Sequence, residues 1–202
     1  EAISELPEEG GVLWFPKDGG PYVVSQGFTI TGRRNLHFLS EGAEVCFKRG
    51  QMRFYSDHAV DWKLFVLNPV KNFYFKDIHF TGANVNEQAI YFRHCVDILF
   101  DDCLFTDFGT GQRGKIISAN VNTDNIWYRN CDFKDNSAGF PTYWDGVHNA
   151  GCLNCRFSGD YGGGDFLIFT NNDMSPFCAY ERTAQYVVFD SCRFIGEPGR
   201  KG

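Results

Sequence analysis

Asp145, in Tyr143-Trp144-Asp145-Gly146-Val147-His148, and Asp165, in Gly163-Gly164-Asp165-Phe166, are the two carboxylates best spaced to act as a pair. Carboxylates held close together divide acid and nucleophile roles at a glycosidic bond, and a wider separation leaves room for an attacking water. His148 lies three positions past Asp145 and is titratable near physiological pH. Lys115 supplies a cation that binds an anionic sugar or keeps a neighbouring Asp ionised. Tyr143, Trp144, Tyr161 and Tyr180 add flat aromatic faces of the kind that stack on sugar rings or, equally, pack over the edge of a fold. Asp145 and Asp165 also suit plain turn positions, so their chemistry depends on the elements that carry them.

Those elements are set by a repeat. Asn125-Ile126-Trp127-Tyr128-Arg129-Asn130-Cys131-Asp132-Phe133 recurs as Asp97–Phe105, Asn149–Phe157 and Tyr186–Phe194, and in Asn72–Phe80 with Ile78 at the Cys position. The closing aromatics Phe80, Phe105, Phe133, Phe157 and Phe194 are about 25, 28, 24 and 37 residues apart, a period that belongs to solenoids and propellers. A short strand ends in an aromatic, a polar pair follows, and a second strand places Cys and Phe at i and i+2 on one face. Asn, Asp and Ser in the polar pair suit a tight bend because they tolerate left-handed backbone. Helical spacing is absent, and a four-strand blade needs a longer period. A third strand per repeat is expected upstream, at Leu64–Leu67, Ala89–Phe92, Lys115–Ser118, Gly146–His148 and Phe166–Phe169. If these stack in parallel, Asp145 and Asp165 begin neighbouring rungs about 4.8 Å apart, with Lys115 in the same column one rung earlier. The expected fold is therefore all-β: a right-handed parallel β-helix of about seven coils with three short strands each, in one domain spanning residues 1–202.

Composition narrows the partners. A net charge of −6 and a pI near 5.3 count against a nucleic-acid polyanion, while local basic patches leave acidic glycans open. No run of 18 apolar residues is present, so no membrane-spanning helix is expected. Of the 8 Cys, Cys103, Cys131, Cys155 and Cys192 share one repeat position and read as a column of reduced thiols acting as small hydrophobes. Cys152-x-x-Cys155 has no second Cys or His pair at metal-site distance, so neither a metal nor another cofactor is expected.

The opening adds a family likeness. Ala2, Ile3 and Leu6, then Gly11, Val12, Phe15 and Pro16, then Gly20, Tyr22 and Val23 follow the order A-I-x-x-L-P, G-G-x-V-x-F-P, x-G-x-Y-x-V. This resembles the start of pectin-lyase-like β-helix proteins, which include phage tail spikes and polysaccharide-degrading enzymes. Residues 1–6 read as the end of an amphipathic helix stopped by Pro7, and the resemblance implies that it caps the first coil, with residues 1–24 as cap and first strands and 25–196 as coils. It also implies a polysaccharide substrate or receptor, a location outside the cell or on a virion, and a homotrimer. Asp145-Gly146-Val147-His148 and Gly164-Asp165 further resemble the polygalacturonase pattern N-T-D-G-(I/V)-H and G-D-D. Tyr143-Trp144 stand in place of Asn-Thr, Phe166 in place of the second Asp, and no G-H-G or R-I-K follows.

Function is expected on the irregular segments: 51–62, Thr106–Gly114, Lys134–Trp144, Ser158–Gly164 and Thr170–Gln185 read as loops on a rigid scaffold. Three roles follow: a glycan-binding or glycan-cleaving domain, a non-catalytic structural β-helix, and a polysaccharide lyase, for which the dispersed Asp101, Asp102 and Asp124 give little of the clustered cation site it needs. Glu1 and the Gly196–Gly202 ending suggest a piece of a longer chain, or an end covered by another subunit.

Overall fold

A computed structural model describes residues 3, 5–48, 51–55, 70–83, 88–109, 111–120, 123–136, 138–159, 167–169 and 185–195. These form an all-β structure with two long sheets, one of twelve strands and one of six, and every pairing between strands is parallel. Neighbours in a sheet lie one repeat apart in sequence. Ile98 pairs with Ile126, Ile126 with Ala150, and Ala150 with Val187.

The polar pairs of the repeat act as the bends expected of them. Asp77, Asp102, Asn130, Asn154 and Ser191, each in the same register position, have φ between 52° and 55°. A second column, Asn35, Asn72, Asp97, Asn125 and Asn149, has φ between 51° and 66°. Left-handed backbone is cheapest for Gly and then for Asn and Asp, whose short side chains bond locally. The side chains also link one bend to the next: Asn72 Nδ2 donates to Asn35 Oδ1 at 2.9 Å, Asn125 Nδ2 to Asp97 Oδ1 at 2.6 Å, and Asn154 Nδ2 to Asn130 Oδ1 at 2.9 Å.

The core is a set of ring ladders. Phe38, Phe75 and Phe100 stack with centroids 4.7 and 4.5 Å apart. Phe80, Phe105, Phe133, Phe157 and Phe194 stack at 5.1, 4.4, 4.9 and 5.1 Å. Offset stacks of this kind add about 0.5–1.5 kcal/mol per pair beyond burial. Cys103, Cys131 and Cys155 are buried beside them and their thiols donate to main-chain carbonyls, as Cys131 Sγ does to Arg129 O at 3.3 Å. Burial drives the Cys131 thiol well above its ordinary pKa, and the Cys95 thiol up to about 12. The described cysteines are free thiols.

Three expectations are corrected. The N-terminal helix does not form: Ile3 and Glu5–Glu9 are turn and bend, and the helical element among the described residues is a 3-10 turn at Lys17–Gly19. Six residues before a proline are too few to offset helix nucleation, and Leu6 and Gly10 satisfy their N–H groups within turns, on Ile3 O and Pro7 O. Residues 52–55 are not loop but strand, Met52–Tyr55, with Met52 and Phe54 in the core. Thr106–Gly114 and Lys134–Trp144 likewise lie largely in strands, within Leu104–Gly109, Gly111–Asn120, Asp132–Asn136 and Ala138–Asp145. The strands expected at 64–67 and the loops at 160–164 and 170–184 lie outside the described residues.

Candidate functional site on the six-stranded sheet

The six-stranded sheet runs through Phe28–Thr31, Met52–Tyr55, Gln88–Arg93, Gly111–Asn120, Ala138–Asp145 and Leu167–Phe169. Phe54, Phe92, Ala119 and Trp144 share one register position and all point into the core. Strand side chains alternate, so the residues on either side of each point the other way. Those residues are Arg53 and Tyr55, Tyr91 and Arg93, Ser118 and Asn120, and Tyr143 and Asp145. They make two adjacent columns on the side of the sheet away from Phe54, Phe92, Ala119 and Trp144: Arg53–Tyr91–Ser118–Tyr143, in which Ser118 is fully buried, and Tyr55–Arg93–Asn120–Asp145.

The face is tied together laterally. Lys115 holds Nζ 3.8 Å from the centre of the Tyr143 ring. The Tyr55 and Tyr91 rings meet edge to face at 5.5 Å. Arg53 gives two hydrogen bonds to Gln51 Oε1, 2.9 and 2.6 Å long. The Tyr91 hydroxyl is pushed above its ordinary pKa, first by burial and then by Tyr55, with Arg93 and an Asn120 hydrogen bond opposing. Asp145 is 7% exposed, so its carboxyl is held in a restricted setting at the end of its strand.

Several expectations about the site change. Asp145 ends a strand, and the corner Gly146-Val147 follows, with Gly146 at φ 68°. Lys115 pairs with Phe140, so it does not share the Asp145 column; Asn120 and Arg93 do. Lys115 joins the face through the Tyr143 ring instead. Trp144 is fully buried, stacked on Tyr128 at 6.0 Å, and is not a sugar platform, because the alternation that turns Tyr143 and Asp145 outward turns Trp144 inward. His148 opens the strand His148–Leu153 of the other sheet, in register with Asp124. Asp165, Tyr161 and Tyr180 lie outside the described residues.

Arg53, Tyr55, Tyr91, Arg93 and Asn120 were not among the expected site residues. Their signal is a polar–apolar–polar triplet in four successive strands: Arg53-Phe54-Tyr55, Tyr91-Phe92-Arg93, Ser118-Ala119-Asn120 and Tyr143-Trp144-Asp145.

Other polar groups have structural partners. Asp101 accepts from Arg129 Nε at 2.7 Å and Nη2 at 2.6 Å, and from the Tyr74 hydroxyl at 2.9 Å. The Arg129 hydrogen bond is the main cause holding Asp101 below the usual carboxylate range. Trp127 lies half-buried over Gly151 of the next strand, its Nε1 donating to Asn125 Oδ1 at 2.7 Å. A cavity of about 680 Å³ opens among the first repeats, but Phe38, Phe75 and Phe80 in its wall make it the end of the core rather than a polar site. Among the described residues no His, Cys, Asp or Glu group is arranged to hold a metal ion, and no helix is long and apolar enough to cross a membrane. No family model, no curated protein and no solved structure matches this chain.

Proposed function

We propose that the chain is a right-handed parallel β-helix of the pectin-lyase-like kind, and that the outer face of its six-stranded sheet binds a polysaccharide. The observation that carries this is the paired columns Arg53–Tyr91–Ser118–Tyr143 and Tyr55–Arg93–Asn120–Asp145, which line up rings, amide and charged groups along the stacking direction. An extended polymer running that way meets one set of groups per rung, about 4.8 Å apart. Tyrosine rings offer apolar faces to the C–H side of sugars, and Asn and Arg offer hydrogen bonds to hydroxyls.

Cleavage is the stronger form of the proposal. Asp145 then provides one of the two carboxyls that glycoside hydrolysis needs, and Asp165 is the proposed second. Purified protein incubated with a polysaccharide panel, with reducing ends measured, tests it. Asp145→Asn and Asp165→Asn should each remove cleavage while circular dichroism stays β-type. Binding without cleavage keeps the binding role and rejects the hydrolase. Undiminished turnover in both variants rejects the carboxyl pair.

A second reading is a structural β-helix on a virion or cell surface, assembled as a trimer. Val12 and Trp14, 53% and 51% exposed on the larger sheet, favour it, since exposed apolar groups side by side suit a protein contact. Failure to bind any glycan, with a stable trimer by light scattering, would support that reading.

A further inference from the structure

We infer that the cavity among the first repeats binds an apolar carboxylate: a single acyl chain lies against its wall with the acid group on Arg33. The inference is independent of the glycan reading and concerns a different part of the molecule. At about 680 Å³ the cavity falls in the size range of small-molecule pockets, and its wall is apolar apart from Thr29, Thr31, Arg33 and the Tyr22 hydroxyl. The apolar lining comes from strand alternation. Leu13, Tyr22 and Val24 point inward and stand half-buried, while their register partners Phe38, Val45 and Phe47 are buried. Covering Leu13, Tyr22 and Val24 with an acyl chain removes apolar area from water, which drives association.

Arg33 selects which end of that chain faces out. Its half-buried side chain forms part of the cavity wall, and Nη1 donates to Leu6 O at 2.6 Å and to Pro7 O at 2.7 Å. Those carbonyls fix the guanidinium and are neutral, so they leave its charge in place. No ion pair among the described residues involves Arg33. A guanidinium carries further N–H donors in a planar fork that matches a carboxylate. The turns that supply the two carbonyls also place Ile3 in the wall, and Asn35 Nδ2 holds them at Glu9 O, 2.8 Å away. An acyl carboxylate uses both features, since its tail takes the apolar wall and its single charge matches the single cation. A neutral hydrocarbon would use only the wall.

Calorimetric titration of the full chain with straight-chain carboxylates from octanoate to tetradecanoate, kept below micelle formation, and with the matched primary alcohols tests this. Each added methylene should tighten binding about four-fold until the cavity is filled. Each carboxylate should bind about ten-fold or more tightly than its alcohol. Arg33→Gln should abolish that preference, and Arg33→Lys, which keeps the charge, should restore part of it. Val24→Phe adds bulk to the wall, so the best-bound chain should become shorter while dichroism stays β-type. Absence of carboxylate binding, or affinity indifferent to chain length, overturns the inference. So does equal binding of acid and alcohol, or a preference that survives Arg33→Gln. An unchanged optimum in folded Val24→Phe puts the chain elsewhere and overturns the site. Phosphatidylglycerol vesicles bound in place of the monomeric carboxylates would assign this end to a membrane surface and overturn it too. A stable oligomer that excludes the carboxylates and dissociates in Val24→Phe would give the cavity to a second copy, with the same consequence.

Discussion

Lys115 holds its ammonium 3.8 Å from the centre of the Tyr143 ring, although the two residues lie on adjacent strands and are not register partners. Lys115 pairs with Phe140 and Tyr143 with Ser118, so the long Lys stem spans the offset. The contact fixes both a cation and an aromatic face beside the Asp145 column.

That relationship makes Tyr143 a positioning residue as well as a platform. Tyr143→Phe keeps the ring and should hold glycan affinity within about two-fold, while Tyr143→Ala removes ring and cation–π contact and should cost about 1–2 kcal/mol of binding. Calorimetric titration of both variants with the best-bound oligosaccharide checks this. Equal losses in the two would assign the role to the hydroxyl instead.

Asp101 and Arg129 should give the fold an acid-sensitive component. The Asp101 carboxyl is held below its ordinary range by Arg129 and Tyr74, so its contribution is complete above about pH 4, the unfolded value, and is lost as pH falls through the lower folded value. Asp101 is buried and half-exposed Arg129 faces it, so Asp101→Asn should cost about 2 kcal/mol near neutral pH. Urea melts at neutral pH and below pH 4 measure both. The difference between wild type and Asp101→Asn should shrink on acidification; a constant difference would show that the pair acts only through shape.

Cys131 and Phe133 test the core column. Cys131→Ala deletes a small buried group and should cost about 1 kcal/mol, whereas Phe133→Ala removes a ring stacked on both Phe105 and Phe157 and should cost about 3–5 kcal/mol. The stability of the wild-type protein should also be unchanged by chelators and reductants, because the Cys131 thiol serves as packing. Loss of stability on adding a chelator would point to a metal role.

Much of the scaffold was legible in the sequence because its constraints are chemical. Asp102, Asn130, Asn154 and Ser191 mark the bends because they accept left-handed backbone, and Cys131 with Phe133 marks the inward face at spacing two. The opening hexapeptide misled because its apolar spacing suits a helix too short to nucleate. Met52–Tyr55 was hidden by its length, since four residues alternating apolar and polar inside a polar stretch carry little periodic signal. The site was half visible. Asp145, Tyr143 and Lys115 were recognised by type, but their columns depend on a register that no local pattern encodes. Lys134–Trp144 reads as a loop, where an aromatic is free to face solvent; in the strand Ala138–Asp145 the alternation instead turns Trp144 into the core.

The central claim is that a glycan lies along the outer face of the six-stranded sheet. A crystal structure of the protein soaked with its best-bound oligosaccharide measures this directly. The account predicts sugar density running across Arg93, Asn120 and Asp145, with at least one ring against Tyr55, Tyr91 or Tyr143. Sugar bound instead on the twelve-stranded sheet, around Trp127 or Trp14, would contradict it.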